Sequence, residues 1–401
     1  MNIFSKIFKQ TSWQILGKII TSAITFSILS IISRNFGKEG LGALTLSSTY
    51  IGMYMLVADF GFNGHLLREL ESKNISDEGI IFGKLLGTRI LWAIFLIIIS
   101  ITTLPLLSFS GSEFMLLTIA GCLAILGSAI FVSSNLIFQK NLRYDLSVWA
   151  TTIGYLFYFV LVISVAFNKL PLFFVPLSSN FGWIIISLAV LFFLKKLHFR
   201  IRPIFNLNFS LRLIKDSWPI AATLLLNVIY FRADSFMISY FRNISDVGIY
   251  NLAYQFFQAI LVLPAFITNA YYPLMLKSFS GFWKIVLSLL GISILVLFLT
   301  LIFAEPLINV VGGQGFSGSS DSLKILSLGF PAYFLSSLLM WNLVGKGSYK
   351  KLLLIYTIGL VVNICLNFLY IPKYSFYAAS WITVLSEYLI LFLQGVVLLL
   401  K

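Results

Sequence analysis

The chain has 401 residues, is 59% hydrophobic and only 10% charged, and has a mean hydropathy of +0.97. So little polar surface cannot cover a water-soluble globule of this size, which excludes a soluble enzyme or regulatory domain and points to an integral membrane protein. The net charge of +14 is then first of all an orientation signal, because membrane proteins collect Lys and Arg in cytoplasmic loops, and it is no argument for nucleic-acid binding.

The N-terminal MNIFSKIFKQTSW places Lys6 and Lys9 before a first apolar run at 13–33. That run is too long for a signal-peptide core and lacks a small-x-small cleavage pattern, so it is expected to be retained as a span. Runs of about 20 residues, the length a bilayer demands, follow at 41–62, 84–106, 114–136, 146–167 and 171–194. A polar, densely basic stretch, KKLHFRIRPIFNLNFSLRLIKD at 195–216, interrupts the pattern. Six more runs come after it, at 218–241, 248–276, 282–304, 322–344, 352–370 and 376–400. The expected fold is an all-α integral membrane protein of about 12 transmembrane helices. Residues 1–194 and 217–401 would each form a six-helix bundle, with 195–216 as a flexible basic linker.

Of the 28 Lys and Arg, nineteen fall in the segments that this pattern places in the cytoplasm, and only Arg34, Lys38, Lys169, Arg242 and Lys373 in the outer loops. The bias puts both termini in the cytoplasm. Trp13, Trp149, Trp218 and Trp283 each stand near the cytoplasmic start of a span, as an aromatic belt would. The two cysteines, Cys122 and Cys365, lie in apolar runs, so no disulfide, metal or cofactor is expected. The longest outer connection, EPLINVVGGQGFSGSSDS, lacks the Gly-Lys-Ser/Thr of a phosphate loop and is expected to be a flexible loop with a short surface helix.

A faint repeat links the halves. RNFGKEGLGALTLSSTYIGMYMLV from Arg34 and RNISDVGIYNLAYQFFQAILVL from Arg242 occupy the same turn in each. Transporters are commonly built from such halves and carry their sites between them.

Ionisable residues at membrane depth are costly and therefore functional candidates. Lys18, Arg89 and Asp59 lie near the cytoplasmic ends of their spans. Two readings are open there: an ion pair of Asp59 with Lys18 or Arg89, or a cationic mouth that accepts a phosphate. His65 is read as interfacial rather than as a proton relay. Arg232 and Asp234 in the seventh span and Glu387 in the twelfth lie deeper. Arg232 and Asp234, two positions apart, are expected on roughly opposite helix faces. Asn251, Gln255 and Gln258 follow i, i+4, i+7 beside Tyr254 in the eighth span, and Asn363 and Asn367 repeat i, i+4 in the eleventh. Such stripes serve either interhelical hydrogen bonding or a cavity wall that binds sugar hydroxyls.

Five stretches taken together resemble a known family: SRNFGKEGLGALTLSSTY, LVADFGFNGHLLRE, YFRADSFMISYFRNISDVGIYNLAYQ, GQGFSGSSDSLKILSLGFPAYFLSSLL and NICLNFLYIPKYSFYAASWITVLSEYLILF. They are similar to the Wzx-type polysaccharide flippases, in the superfamily that also holds the multidrug and toxin extruders and the lipid II flippase. The resemblance implies a MATE-like arrangement of two pseudo-symmetric bundles around a central cavity with alternating access. It implies as substrate a polyprenyl-diphosphate-linked oligosaccharide for O-antigen, capsule or exopolysaccharide synthesis, in the cytoplasmic membrane. It also implies contact with membrane lipids, a polysaccharide polymerase as a partner, no nucleic acid, and no covalent chemistry. Lys18, Arg89 and Arg232 are the expected diphosphate ligands, and Asn251, Gln255 and Gln258 the glycan-facing residues. Asp59, Asp234 and Glu387 are acids of coupling or structural role. The family often has glycine where this chain has Ser375 and Phe376, so the turn into the last span is expected to differ. The competing readings are an ion-coupled exporter of drugs or other small molecules with the same fold, and a lipid II-type flippase.

Overall fold

A computed structural model of the chain describes residues 3–71, 75–107, 111–199, 201–277 and 281–399, and among these there is no β-strand. In chain order the helices are α1 (Ile3–Asp59), α2 (Phe62–Glu71), α3 (Ile75–Thr103), α4 (Ser112–Gly121), α5 (Ala124–Lys140), α6 (Tyr144–Phe167) and α7 (Phe174–Lys196). There follow α8 (Leu207–Phe241), α9 (Ile244–Ile260), α10 (Val262–Lys277), α11 (Phe282–Gly312), α12 (Ser317–Ser327), α13 (Phe330–Gly345) and α14 (Tyr349–Leu399). The side chains of Lys6, Lys9, Arg68, Lys73, Arg200, Lys277 and Lys401 lie outside the described residues.

Among the described residues, eight helical stretches are long and apolar enough to cross a membrane, and α12 with α13, bent by 46°, makes a ninth. At 57 and 51 residues, α1 and α14 are too long to be single passes. Straight, they would run about 75 to 85 Å, against a hydrocarbon core of about 30 Å. Each breaks at one residue, α1 at Gly37 (φ 64°) and α14 at Ser375 (φ 51°). Counting both as double passes and adding the 35-residue α8 gives the twelve passes expected.

The chain divides into two compact units, Met1–Asn35 with Ala43–Phe231, and Phe36–Gly42 with Arg232–Lys401. In the first, Phe62, Phe82, Leu85, Phe138, Leu194, Phe209 and Leu213 build one apolar core. Trp13 and Trp149, 6.0 Å apart, stand side by side on α1 and α6. The segment expected to be a flexible tether is fastened to this core. The Ile204 N–H donates to the Gly83 carbonyl at 2.8 Å. A Cβ on Gly83 would lie 2.5 Å from the Arg202 carbonyl oxygen, and one on Gly87 2.4 Å from that of Ile204. Two glycines one turn apart thus leave α3 a groove that only bare backbone can line. Beyond it, the Asn206 side chain caps α8 by accepting the Phe209 N–H at 2.9 Å, and the Thr88 and Ser210 hydroxyls meet at 2.7 Å.

In the second unit an aromatic column runs from α9 into α13, with successive ring centroids at 5.4 Å (Tyr250–Tyr254), 5.8 Å (Tyr254–Phe257), 5.5 Å (Phe257–Phe330) and 6.4 Å (Phe330–Phe334). Phe36–Gly42 packs here against the start of α9. A Cβ on Gly42 would fall 1.9 Å from the Ile244 carbonyl oxygen, and one on Gly248 2.1 Å from that of Lys38. The two segments read as a repeat therefore cross backbone to backbone. At that crossing Gly42 stands against Gly248.

The kink in α14 keeps a left-handed, glycine-like conformation even though the residue is serine. The Ser375 hydroxyl donates to the Asp246 carboxylate, while Arg242 donates to the Pro372 carbonyl at 3.2 Å. The connection expected to be a flexible outer loop with a short helix contains such a helix, α12, but far less loop than expected. α11 continues through Pro306 to Gly312 and α12 starts at Ser317, so only a four-residue turn with Gly313 (φ 75°) and Gly315 (φ 98°) remains non-helical. Cys122 is buried and Cys365 exposed, and both are free thiols.

Candidate functional site

Polar side chains in the second unit converge where α8, α9 and α14 meet. Asp234 is buried on α8, and its carboxylate accepts the Tyr250 hydroxyl and, at 2.8 Å, the Ser235 N–H. The Tyr250 hydroxyl also lies 3.4 Å from Thr383 Oγ1 on α14. One turn along α9, the Tyr254 ring has the Arg232 guanidinium 5.9 Å from its centroid. The expectation of opposite faces for Arg232 and Asp234 therefore gives way to a shared neighbour. The long arginine stem reaches back to the same tyrosine pair that holds the aspartate, and the half-buried cation rests on a π face while the acid takes the hydroxyl.

Glu387 is 4% exposed and lies within electrostatic reach of the Tyr254, Tyr333 and Tyr356 hydroxyls. Beside it runs a chain of amides. Asn367 Nδ2 donates to Asn363 Oδ1 at 2.9 Å, and Asn363 Nδ2 donates to Ser386 Oγ at 3.0 Å. The Oδ1 atoms of Asn342 and Asn367 are buried with no hydrogen-bond partner among the described atoms. An orphaned buried acceptor costs about 1–3 kcal/mol, a cost that a proton donor, a water or a small cation would remove. The α9 stripe splits: Asn251 is buried and accepts from Gln255 at 3.5 Å, whereas Gln255 and Gln258 are half-buried. No group of three His, Cys, Asp or Glu able to hold a metal occurs among the described residues.

The first unit holds the other candidates. Arg89 is fully buried, and its guanidinium donates to the Asp59 carboxylate at 2.9 Å, the Asp59 carbonyl at 3.0 Å and Asn63 Oδ1 at 2.9 Å. The Phe62 ring lies 5.4 Å from it. These partners surround the break between α1 and α2, where Phe60 (φ 50°) and Gly61 (φ 69°) reverse the backbone. Of the two readings open for Asp59, the ion pair with Arg89 is the geometry present. Lys18 is exposed on α1, beside a Gly17 packed against Val148. His65 pairs with Asp216 at 3.8 Å.

Tyr250, Thr383 and Ser386 belong to the polar region but are missed when only charges and amide stripes are sought. The i, i+4 pair of tyrosines on the helix that carries Asn251 is the signal that would have found the first of them.

The model of the polysaccharide biosynthesis protein family matches residues 7–279. No curated protein sequence matches the chain. Among solved structures, the lipid II flippase MurJ in an inward closed conformation superposes with a TM-score of 0.75 at 15% identity, covering 98% of this chain and 87% of that one. An inward-facing multidrug resistance MATE transporter of the MOP superfamily gives 0.72 at 14% identity, covering 94% and 93%. A MOP superfamily transporter from Pyrococcus furiosus, distinguished by the reverse polarity of its binding pocket, gives 0.66 at 12% identity, covering 98% and 94%. These neighbours are flippases and transporters rather than enzymes. The chain is a multi-pass membrane protein with their fold, and it belongs to the polysaccharide biosynthesis protein family.

Proposed function

We propose that the protein translocates polyprenyl-diphosphate-linked oligosaccharide repeat units across the cytoplasmic membrane by alternating access, for cell-surface polysaccharide synthesis. The family match over residues 7–279 carries this reading. Polymer assembled outside the cell needs its lipid-linked units moved there, and a multi-pass fold shared with a flippase and with transporters suits that step.

Within the second unit, Arg232 is the cation that holds the diphosphate. Arg89, also expected as a diphosphate ligand, is already engaged by Asp59 and Asn63 in the first unit. Gln255 and Gln258 face the sugar hydroxyls, and Asn251 braces Gln255. Asp234 and Glu387 take up a coupling proton or cation. A potential negative inside favours outward movement of the anionic diphosphate, at about 2.3 kcal/mol per charge per 100 mV. A polymerase receives the unit on the far side.

The test is Arg232→Gln in cells that depend on this protein for surface glycan. With the variant present in the membrane at normal level, lipid-linked glycan should accumulate on the inner leaflet and surface glycan should fall. Unchanged export removes Arg232 from the site, and normal export combined with altered drug resistance supports a multidrug exporter instead.

A further inference from the structure

The stretch that joins the two runs of spans displays three surfaces. On the first turns of α8, Phe209, Ser210, Leu213 and Ser217 are buried. Leu207, Leu211 and Trp218 are 73%, 57% and 60% exposed, and at 100° per residue they fall within an arc of roughly 40°. Phe205, 60% exposed, extends that apolar face along the bound segment before the helix. Next to it stand the exposed cations Arg202, Arg212 and Lys215, with Lys195 and Lys196 at the end of α7. The acid of this stretch, Asp216, is turned to His65 at 3.8 Å. The groove of Gly83 and Gly87 holds the whole element, so stripe and cations keep a fixed relation to α3.

Standing in water, this element would carry Leu207 about 16 Å beyond Trp218, with an uncovered apolar stripe along the way. Against a headgroup layer both surfaces are satisfied: the stripe enters the acyl boundary and the cations meet lipid phosphates. A soluble acidic partner or an RNA would suit the cations but leave the leucines and Trp218 in water.

We infer that residues 201–218 form a platform that docks on the anionic phospholipid headgroups of the leaflet on that side, and that binds them in preference to zwitterionic lipid. The full chain, with Cys122 and Cys365 changed to serine and a bimane probe on Leu207→Cys or Leu211→Cys, would be placed in nanodiscs of phosphatidylcholine with or without phosphatidylglycerol. Acyl-brominated lipid should quench both probes, more strongly when phosphatidylglycerol is present. In native mass spectrometry, retention of phosphatidylglycerol over phosphatidylcholine should drop about fivefold per cation neutralised in Arg202→Gln and in Arg202→Gln/Lys215→Gln. Leu207→Ser/Leu211→Ser, which keeps every charge, should weaken retention less. Arg202→Gln alone suffices if the double variant fails to insert. Unquenched probes, equal retention of the two lipids, or capture of a soluble protein or RNA with the probes still unquenched would each overturn the assignment.

Discussion

Replacing Arg89 with methionine separates a structural from a substrate-binding role for the most deeply buried cation. Methionine fills much of the volume but removes the donors that hold the Asp59 carboxylate, the Asp59 carbonyl and Asn63 across the α1–α2 break. Taking one partner from a buried ion pair costs about 3–5 kcal/mol. The Asp59 side chain is 30% exposed, so water recovers part of that, and about 3 kcal/mol is the working figure. Such a loss should lower the melting temperature of the detergent-purified protein by roughly 5 °C or more. Adding Asp59→Asn should return part of the loss, because the orphaned charge is then gone. A variant that melts like wild type yet fails to export glycan would refute the reasoning and assign the guanidinium to substrate.

Three further substitutions probe separate joints. Tyr250→Phe takes the hydroxyl from buried Asp234 and should destabilise by about 1.5–3 kcal/mol, the worth of a hydrogen bond to a charged group, read as a lower melting temperature. Gly87→Val puts side-chain carbon into the Ile204 carbonyl, 2.4 Å away for Cβ alone. Overpacking of about 1–3 kcal/mol should release the segment, so that limited proteolysis cuts near 201–206; an uncut, fully stable variant would mean that the groove does not hold it. Gly42→Ala meets the Ile244 carbonyl at 1.9 Å and should force Phe36–Gly42 away from α9, lowering exchange protection at the start of α9; unchanged protection would contradict the crossing.

Twelve passes are legible in the chain because a bilayer demands some 20 apolar residues per helix, whatever tertiary contacts follow. Burial follows the reading of depth only in part: Asp234 and Glu387, read as deep, are buried, but Arg232, read as deep with them, is half-buried, and Arg89, read near a span end, is fully buried. Partners are not legible, because they depend on how helices rotate against one another. The two-residue spacing of Arg232 and Asp234 suggests opposite faces, and the length of an arginine stem cancels that geometry. A polar, basic composition reads as a flexible linker, while the glycines that fasten it, Gly83 and Gly87, look like ordinary small residues of an apolar helix more than 100 residues earlier. The glycine-rich outer stretch reads as loop, but its glycines cluster after Val311, and the apolar residues before them continue α11. At Ser375 a residue that disfavours positive φ is held there by Asp246, a contact across 129 positions that no local pattern records.

The account rests on movement of a lipid-linked glycan, and reconstitution measures that most directly. Proteoliposomes containing a polyprenyl-diphosphate oligosaccharide would be probed with a membrane-impermeant lectin. The wild-type protein should raise the lectin-accessible fraction above that of protein-free liposomes, and Arg232→Gln should not. An accessible fraction equal to that of protein-free liposomes, while the same vesicles transport a fluorescent drug, would contradict the flippase assignment and leave only the fold.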